Sequence, residues 1–147
     1  MTTPAAKLTV ITLGVRDVPA SAMFYGALGF KRKMRATGDE VAFFDAGGIL
    51  LSVWDWNKLA EDTGIAGEPR PQTFRSATLA WNCETPAEVD EMFAKAVAVG
   101  GKVLREPDKT DYGGYRGYFA DPDGHVWEVV QAPGFGFTDD GRLTAPD

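Results

Sequence analysis

Gly113-Gly-Tyr-Arg-Gly-Tyr-Phe-Ala-Asp-Pro-Asp-Gly-His-Val-Trp-Glu128 is the stretch whose reading decides the fold. Tyr115 to Ala120 and His125 to Gln131 are rich in aromatic and β-branched residues. Asp121-Pro-Asp-Gly124 between them carries turn chemistry, so the segment reads as a β-hairpin. Strand side chains alternate between faces. Val126, Glu128 and Val130 therefore share one face, and His125, Trp127 and Val129 the other. Glu128 points away from His125, the only histidine in the chain. A metal centre built on Glu128 needs partners from elsewhere.

The residues ahead of this hairpin form a repeating order. Arg75 to Trp81 reads as a strand. Thr85-Pro-Ala-Glu88 is a capping box with proline at the first helical position. Val89, Met92, Phe93, Ala96 and Val97 follow at helical spacing, and Gly100-Gly101 closes the helix. Lys102 to Arg105 reads as a short strand. The first half of the chain has the same order. Leu8 to Val15 is a strand, and Asp17 and Pro19 announce a helix with Met23, Phe24 and Leu28 on one face and Gly29 as its stop. Lys31-Arg-Lys-Met-Arg35 reads as a charged edge strand. Glu40 to Asp45 and Ile49 to Trp54 form a hairpin around Ala46-Gly-Gly48. Asn57 to Gly64 reads as a short helix, and residues 65–73, with Gly67, Pro69 and Pro71, as a linker.

This order predicts an α+β fold of paired βαβββ modules, with curved mixed sheets around a cavity. The chain reads as one domain over 1–147, with a first module at 7–66, a second at 73–132 and a tail at 133–147. The tail carries one edge strand at Arg142 to Thr144. Between the halves, Leu13-Gly-Val15 aligns with Leu79-Ala-Trp81, and Gly48 with Gly124.

Composition narrows the function. The chain has 15 Lys and Arg against 21 Asp and Glu, a net charge of −6. That balance argues against nucleic acid, which rewards clustered cations. No apolar run approaches the roughly 20 residues of a membrane span, and the N-terminus lacks a secretory signal pattern. A cytoplasmic protein with no membrane partner is expected. The single Cys83 excludes an internal disulfide and a cysteine-rich zinc site, and reads as an ordinary thiol.

Two motifs together resemble the vicinal oxygen chelate superfamily, which includes glyoxalase I, bleomycin-resistance proteins and extradiol dioxygenases. The first is Ile11-Thr-Leu-Gly-Val-Arg-Asp-Val18 with Ser21, Phe24-Tyr25 and Leu28-Gly-Phe30. The second is the 113–128 stretch. The resemblance implies a cavity enclosed by paired modules, usually within a homodimer. Carried over to this chain, the family's metal-ligand positions fall on Val10, Ser52 (Leu51 if the hairpin slips by one), Ser76 and Glu128. Only Glu128 is a good ligand, whereas catalytic metals want about three such groups. No metal and no cofactor is the expectation.

Alternation assigns the rest of the cavity face. Thr12, Ser52 and Trp54 come from the first module, with Trp56 just beyond. Ser76 and Thr78 come from the second, and Tyr118 or Phe119 joins according to register. Tyr112 and Tyr115 are expected on the loop at the cavity mouth. An apolar and aromatic pocket with hydroxyls and one acid suits a small aromatic or cationic organic molecule. The leading reading is a glyoxalase-related, metal-independent small-molecule binder. A metal-dependent lyase or dioxygenase using Glu128 as ligand or base is the alternative, and a structural or regulatory dimer with a vestigial pocket is the third.

Overall fold

A computed structural model of the chain describes residues 3–65 and 67–147. Ala66, inside the expected linker and at the expected end of the first module, lies outside the described residues. So do Met1 and Thr2.

The first half contains β1 (Val10–Val15), α1 (Val18–Leu28), β2 (Lys31–Lys33), β3 (Val41–Asp45) and β4 (Leu50–Asp55), followed by α2 (Trp56–Thr63). The second half repeats the order with β5 (Thr78–Asn82), α3 (Pro86–Ala98), β6 (Lys102–Lys109), β7 (Tyr115–Ala120) and β8 (Val126–Gln131). The tail folds back as β9 (Gly136–Phe137) and β10 (Leu143–Thr144), an antiparallel pair. Two mixed sheets result, ordered β1-β4-β3-β2 and β5-β8-β7-β6. In each, the strand before the helix pairs in parallel with the last strand of its module. The charged Lys31–Lys33 strand lies at an edge, as its composition predicts.

Caps set the helix ends. Asp17 accepts from Ala20 N–H at the start of α1, and Gly29 adopts φ 117° at its end. Thr85 accepts from Glu88 N–H at the start of α3, while the Glu88 carboxylate accepts from Glu84 N–H. The capping box thus reaches one residue further back than its usual form. The buried face of α1 is Val18, Ser21, Phe24, Tyr25 and Leu28. Met23 departs from the expected apolar face and is 76% exposed, because Tyr25 takes the core-facing place.

Two strand boundaries also differ from the sequence reading. β5 begins at Thr78 and not at Arg75, since Ser76 adopts a left-handed φ of 59° that a strand does not hold. β6 runs on past Arg105 to Lys109, absorbing Pro107 through register shifts on an edge strand, where a missing N–H costs no ladder bond.

The ladders also correct the alignment of the halves. Thr12 pairs with Ser52, and Ala80 with Glu128. Ser52 and Glu128 match through their turns, so Thr12 corresponds to Ala80 and Leu13 to Trp81. The helix caps Asp17 and Thr85 keep the same offset. Leu13 was expected to match Leu79. A slip of two residues preserves the facing of every side chain, so alternation cannot reveal it.

One hydrophobic core serves both halves. It joins Leu13, Phe24, Tyr25, Phe44 and Val53 to Val89, Phe93, Phe119, Trp127 and Val129. Phe119 stacks on Trp127 with ring planes 2° apart. Phe24 and Tyr25 of α1 meet Phe119 and Trp127 of the second sheet. Among the described residues, no helix is long and apolar enough to cross a membrane.

Candidate functional site

A cavity of about 830 Å³ lies over the face of the second sheet opposite α3. Thr78, Val126, Tyr118 and Ala120 form its floor. Its walls come from Gly14 to Arg16 at the end of β1, Trp56 at the start of α2, the 70–75 segment and the Asp121–Gly124 turn. The site is therefore assembled from both halves.

Three polar links hold these walls together. The Arg75 guanidinium donates to the carbonyls of Asp123 (2.8 Å) and Pro71 (3.2 Å). It lies 5.9 Å from the centre of the Trp56 ring, within cation–π range. Its Nη1 is 3.2 Å from His125 Nδ1, and His125 Nε2 is 2.8 Å from the Gly14 carbonyl. Arginine only donates, so Nδ1 accepts and Nε2–H donates to Gly14, roles assigned from the ring's partners. His125 is thus a tie between the halves, and none of its hydrogen bonds involves Glu128. At the second link, Asp123 accepts from the Arg16 backbone N–H at 2.9 Å and from its Nε at 3.3 Å. At the third, Tyr25 donates to Asp121 Oδ2 at 2.6 Å and accepts from Trp127 Nε1–H at 3.1 Å. Burial, then the Asp121 charge, pushes the Tyr25 phenol well above its ordinary pKa. Both turn carboxylates are consumed by the fold.

Glu128 sits next to the cavity floor, opposite Ala80 on one side and Tyr118 on the other. Tyr118 donates to Glu128 Oε2 at 2.7 Å. That hydrogen bond, followed by burial, raises the Tyr118 phenol above its usual value. Cys83 is buried, and loss of solvent pushes its thiol up to about 11, so it stays protonated near neutral pH.

Thr78, Trp56 and Tyr118 line the cavity. Thr12, Ser52 and Trp54 lie on the corresponding face of the first sheet, outside the cavity lining. Ser52 is buried there, and its neighbour Leu51 belongs to the core, which decides the hairpin register. Ser76 is exposed ahead of β5. By the ladder correspondence Thr78, and not Ser76, occupies the place that Val10 holds in the first half. Tyr115 is not on a loop. It opens β7 facing α3, where its hydroxyl donates to Asp90 at 2.7 Å. Tyr112 is 54% exposed on the loop before β7. Phe119 is buried on the helix side, leaving Tyr118 as the outward residue.

The cations were not foreseen. Arg16, Arg70, Arg75, Lys102 and Arg105 all line the cavity. Arg70 and Arg75 sit in a segment read only as linker and strand start, and the one available signal was the density of arginine beside prolines.

The positions carried over from the family's metal ligands offer few donor atoms. With the corrected register they are Val10, Ser52, Thr78 and Glu128: one carboxylate, two hydroxyls and one side chain with no donor atom. Among the described residues, no three His, Cys, Asp or Glu side chains converge to hold a metal ion.

A sequence model described as Glyoxalase/Bleomycin resistance protein/Dioxygenase superfamily matches residues 7–129. A glyoxalase-related enzyme from Fulvimarina pelagi is 39% identical, with a TM-score of 0.84 over 97% of this chain and 100% of that one. Protein ATC0852 from Agrobacterium tumefaciens is 32% identical, with a TM-score of 0.68 over 91% of this chain and 100% of that one. A lactoylglutathione lyase from Agrobacterium tumefaciens, 22% identical with a TM-score of 0.66 over 88% of this chain and 96% of that one, shares the fold. No curated protein matches the chain significantly. The chain belongs to the glyoxalase/bleomycin resistance protein/dioxygenase superfamily.

Proposed function

We propose that this protein binds a small aromatic organic molecule in the cavity over its second sheet, without a metal at the family's four positions. The observation that carries the reading is the lining itself. Trp56, Phe74 and Tyr118 offer aromatic faces, and Thr78 a hydroxyl, around about 830 Å³, a volume suited to a drug-sized ligand. Trp56 is held in place by Arg75 on one side and by Gly14 beneath it. The expected homodimer stays part of this reading, supported by family membership, and light scattering that returned the mass of a single chain would remove it.

Fluorescence titration with a panel of aromatic compounds tests the binding. At least one is expected to saturate. Trp56→Ala should weaken it about tenfold, on the order of 1.4 kcal/mol, near the upper range for an aromatic contact. Trp54→Ala, outside the lining, should leave it unchanged. Absence of any saturable ligand, or an unaffected Trp56→Ala variant, would sink the reading.

A second reading has its own observation. Tyr118 bonds one oxygen of Glu128, leaving the other for a substrate, and the 39% identical relative is described as an enzyme. Glu128 then acts as base on a carbon acid. Ligand C–H exchange in heavy water, followed by NMR and abolished by Glu128→Gln, is the expected result; exchange that survives the substitution removes this reading.

A further inference from the structure

We infer that the ligand of this cavity is an organic anion, an oxyanion carried on an aromatic body, with Arg70, Arg75 and Lys102 as its charge partners. This deepens the binding reading above and rests on it.

The chain as a whole is acidic, at −6, yet its cavity is not. The five lining cations face two lining carboxylates, Asp121 and Asp123. Asp121 is occupied by Tyr25 and by the backbone N–H groups of Asp123 and His125. Asp123 is occupied by Arg16. Arg105 is paired with Asp108 outside the lining. Arg70, Arg75 and Lys102 remain. Among the described residues, none of the three has a carboxylate oxygen within 4.0 Å.

Arg75 is the most telling of them. Its guanidinium is fixed by two carbonyls and an imidazole nitrogen, all uncharged. Its Nε is buried with no hydrogen-bond partner. The scaffold therefore orients this charge without neutralising it. A cation withdrawn from water and left without a counter-charge is costly, and an anion in the cavity supplies one. A concave site with low-dielectric walls also concentrates the field of one sign. A cationic ligand, which an aromatic pocket with one acid would suit, would meet Arg70, Arg75 and Lys102 directly. Net charge averages over the whole surface, whereas a ligand experiences the groups around it.

Two dyes with one aromatic body form the test. 8-Anilinonaphthalene-1-sulfonate carries an oxyanion, and N-phenyl-1-naphthylamine is the same body without it. The sulfonate should bind at least tenfold more tightly, and 0.5 M NaCl should erode that margin. In the double variant Arg70→Gln/Lys102→Gln the margin between the two dyes should shrink about tenfold. Both side chains reach solvent, so the variant is expected to fold, and its thermal melting checks this. Displacement of the sulfonate by 2-naphthoate or by 2-naphthyl phosphate then separates carboxylate from phosphate ligands. Equal binding of the two dyes, or a margin that survives the double variant, overturns the anion inference and leaves the cavity reading standing. Failure of both dyes to bind removes both.

Discussion

Tyr25 shows how much one side chain contributes when its hydroxyl is fully used. It is buried, donates to Asp121 and accepts from Trp127. Tyr25→Phe keeps the ring but leaves a buried carboxylate oxygen and an indole N–H each short of a partner. The expected cost is about 1–3 kcal/mol in chemical denaturation. The pH dependence has a definite sign. The folded phenol titrates well above its ordinary 10.0, so below that pH both states keep the proton and the stabilisation is complete. As pH climbs beyond 10, the unfolded chain releases its proton first and stability falls. The Phe variant should show a shallower alkaline loss in thermal melts between pH 9 and about 11. Slopes identical to wild type would assign the alkaline sensitivity elsewhere.

At the scale of elements, the contact of β1 with α2 shapes the cavity wall. A Cβ built on Gly14 would stand 2.6 Å from Trp56 Cε3 and 3.3 Å from Leu59 Cδ2. Glycine is required here by close approach, since no positive φ is involved. Gly14→Ala must push Trp56 away from β1 and loosen its stack with Arg75. Overpacking of this kind costs typically about 1–3 kcal/mol. The variant should melt lower and bind aromatic probes less well than wild type. Unchanged binding with lowered stability would mean that the Trp56 position does not govern the site. The linker is the other element that matters. Residues 65–73 read as a linker and Arg75 as the start of a strand, yet Arg75 ties the segment to the Asp121–Gly124 turn and makes residues 70–75 a wall.

For the whole molecule, the two βαβββ halves share one core and three polar links. Neither half buries its apolar face alone, because Tyr25 of α1 packs on Trp127 of β8 and Phe30 on Trp81. Unfolding in denaturant should therefore be a single transition by tryptophan fluorescence and by circular dichroism, with coincident midpoints. Two separated transitions would show that the halves are independent.

Much of this architecture was legible from local chemistry. The caps Asp17 and Thr85, the turn glycines and the alternation of Val126–Val130 are written into neighbouring residues, and they predicted both helices, both hairpins and the outward face of Glu128. Three things depended on tertiary structure. The two-residue offset that puts Thr78 in place of Ser76 escapes a pattern of period two. Tyr115 went to α3 because Asp90 waits there, a partner 25 residues distant. The positive lining of the cavity arises only when Arg70, Arg75 and Lys102 gather in space. Charge counted along an acidic chain points one way; charge summed over the few ångströms around a cavity points the other.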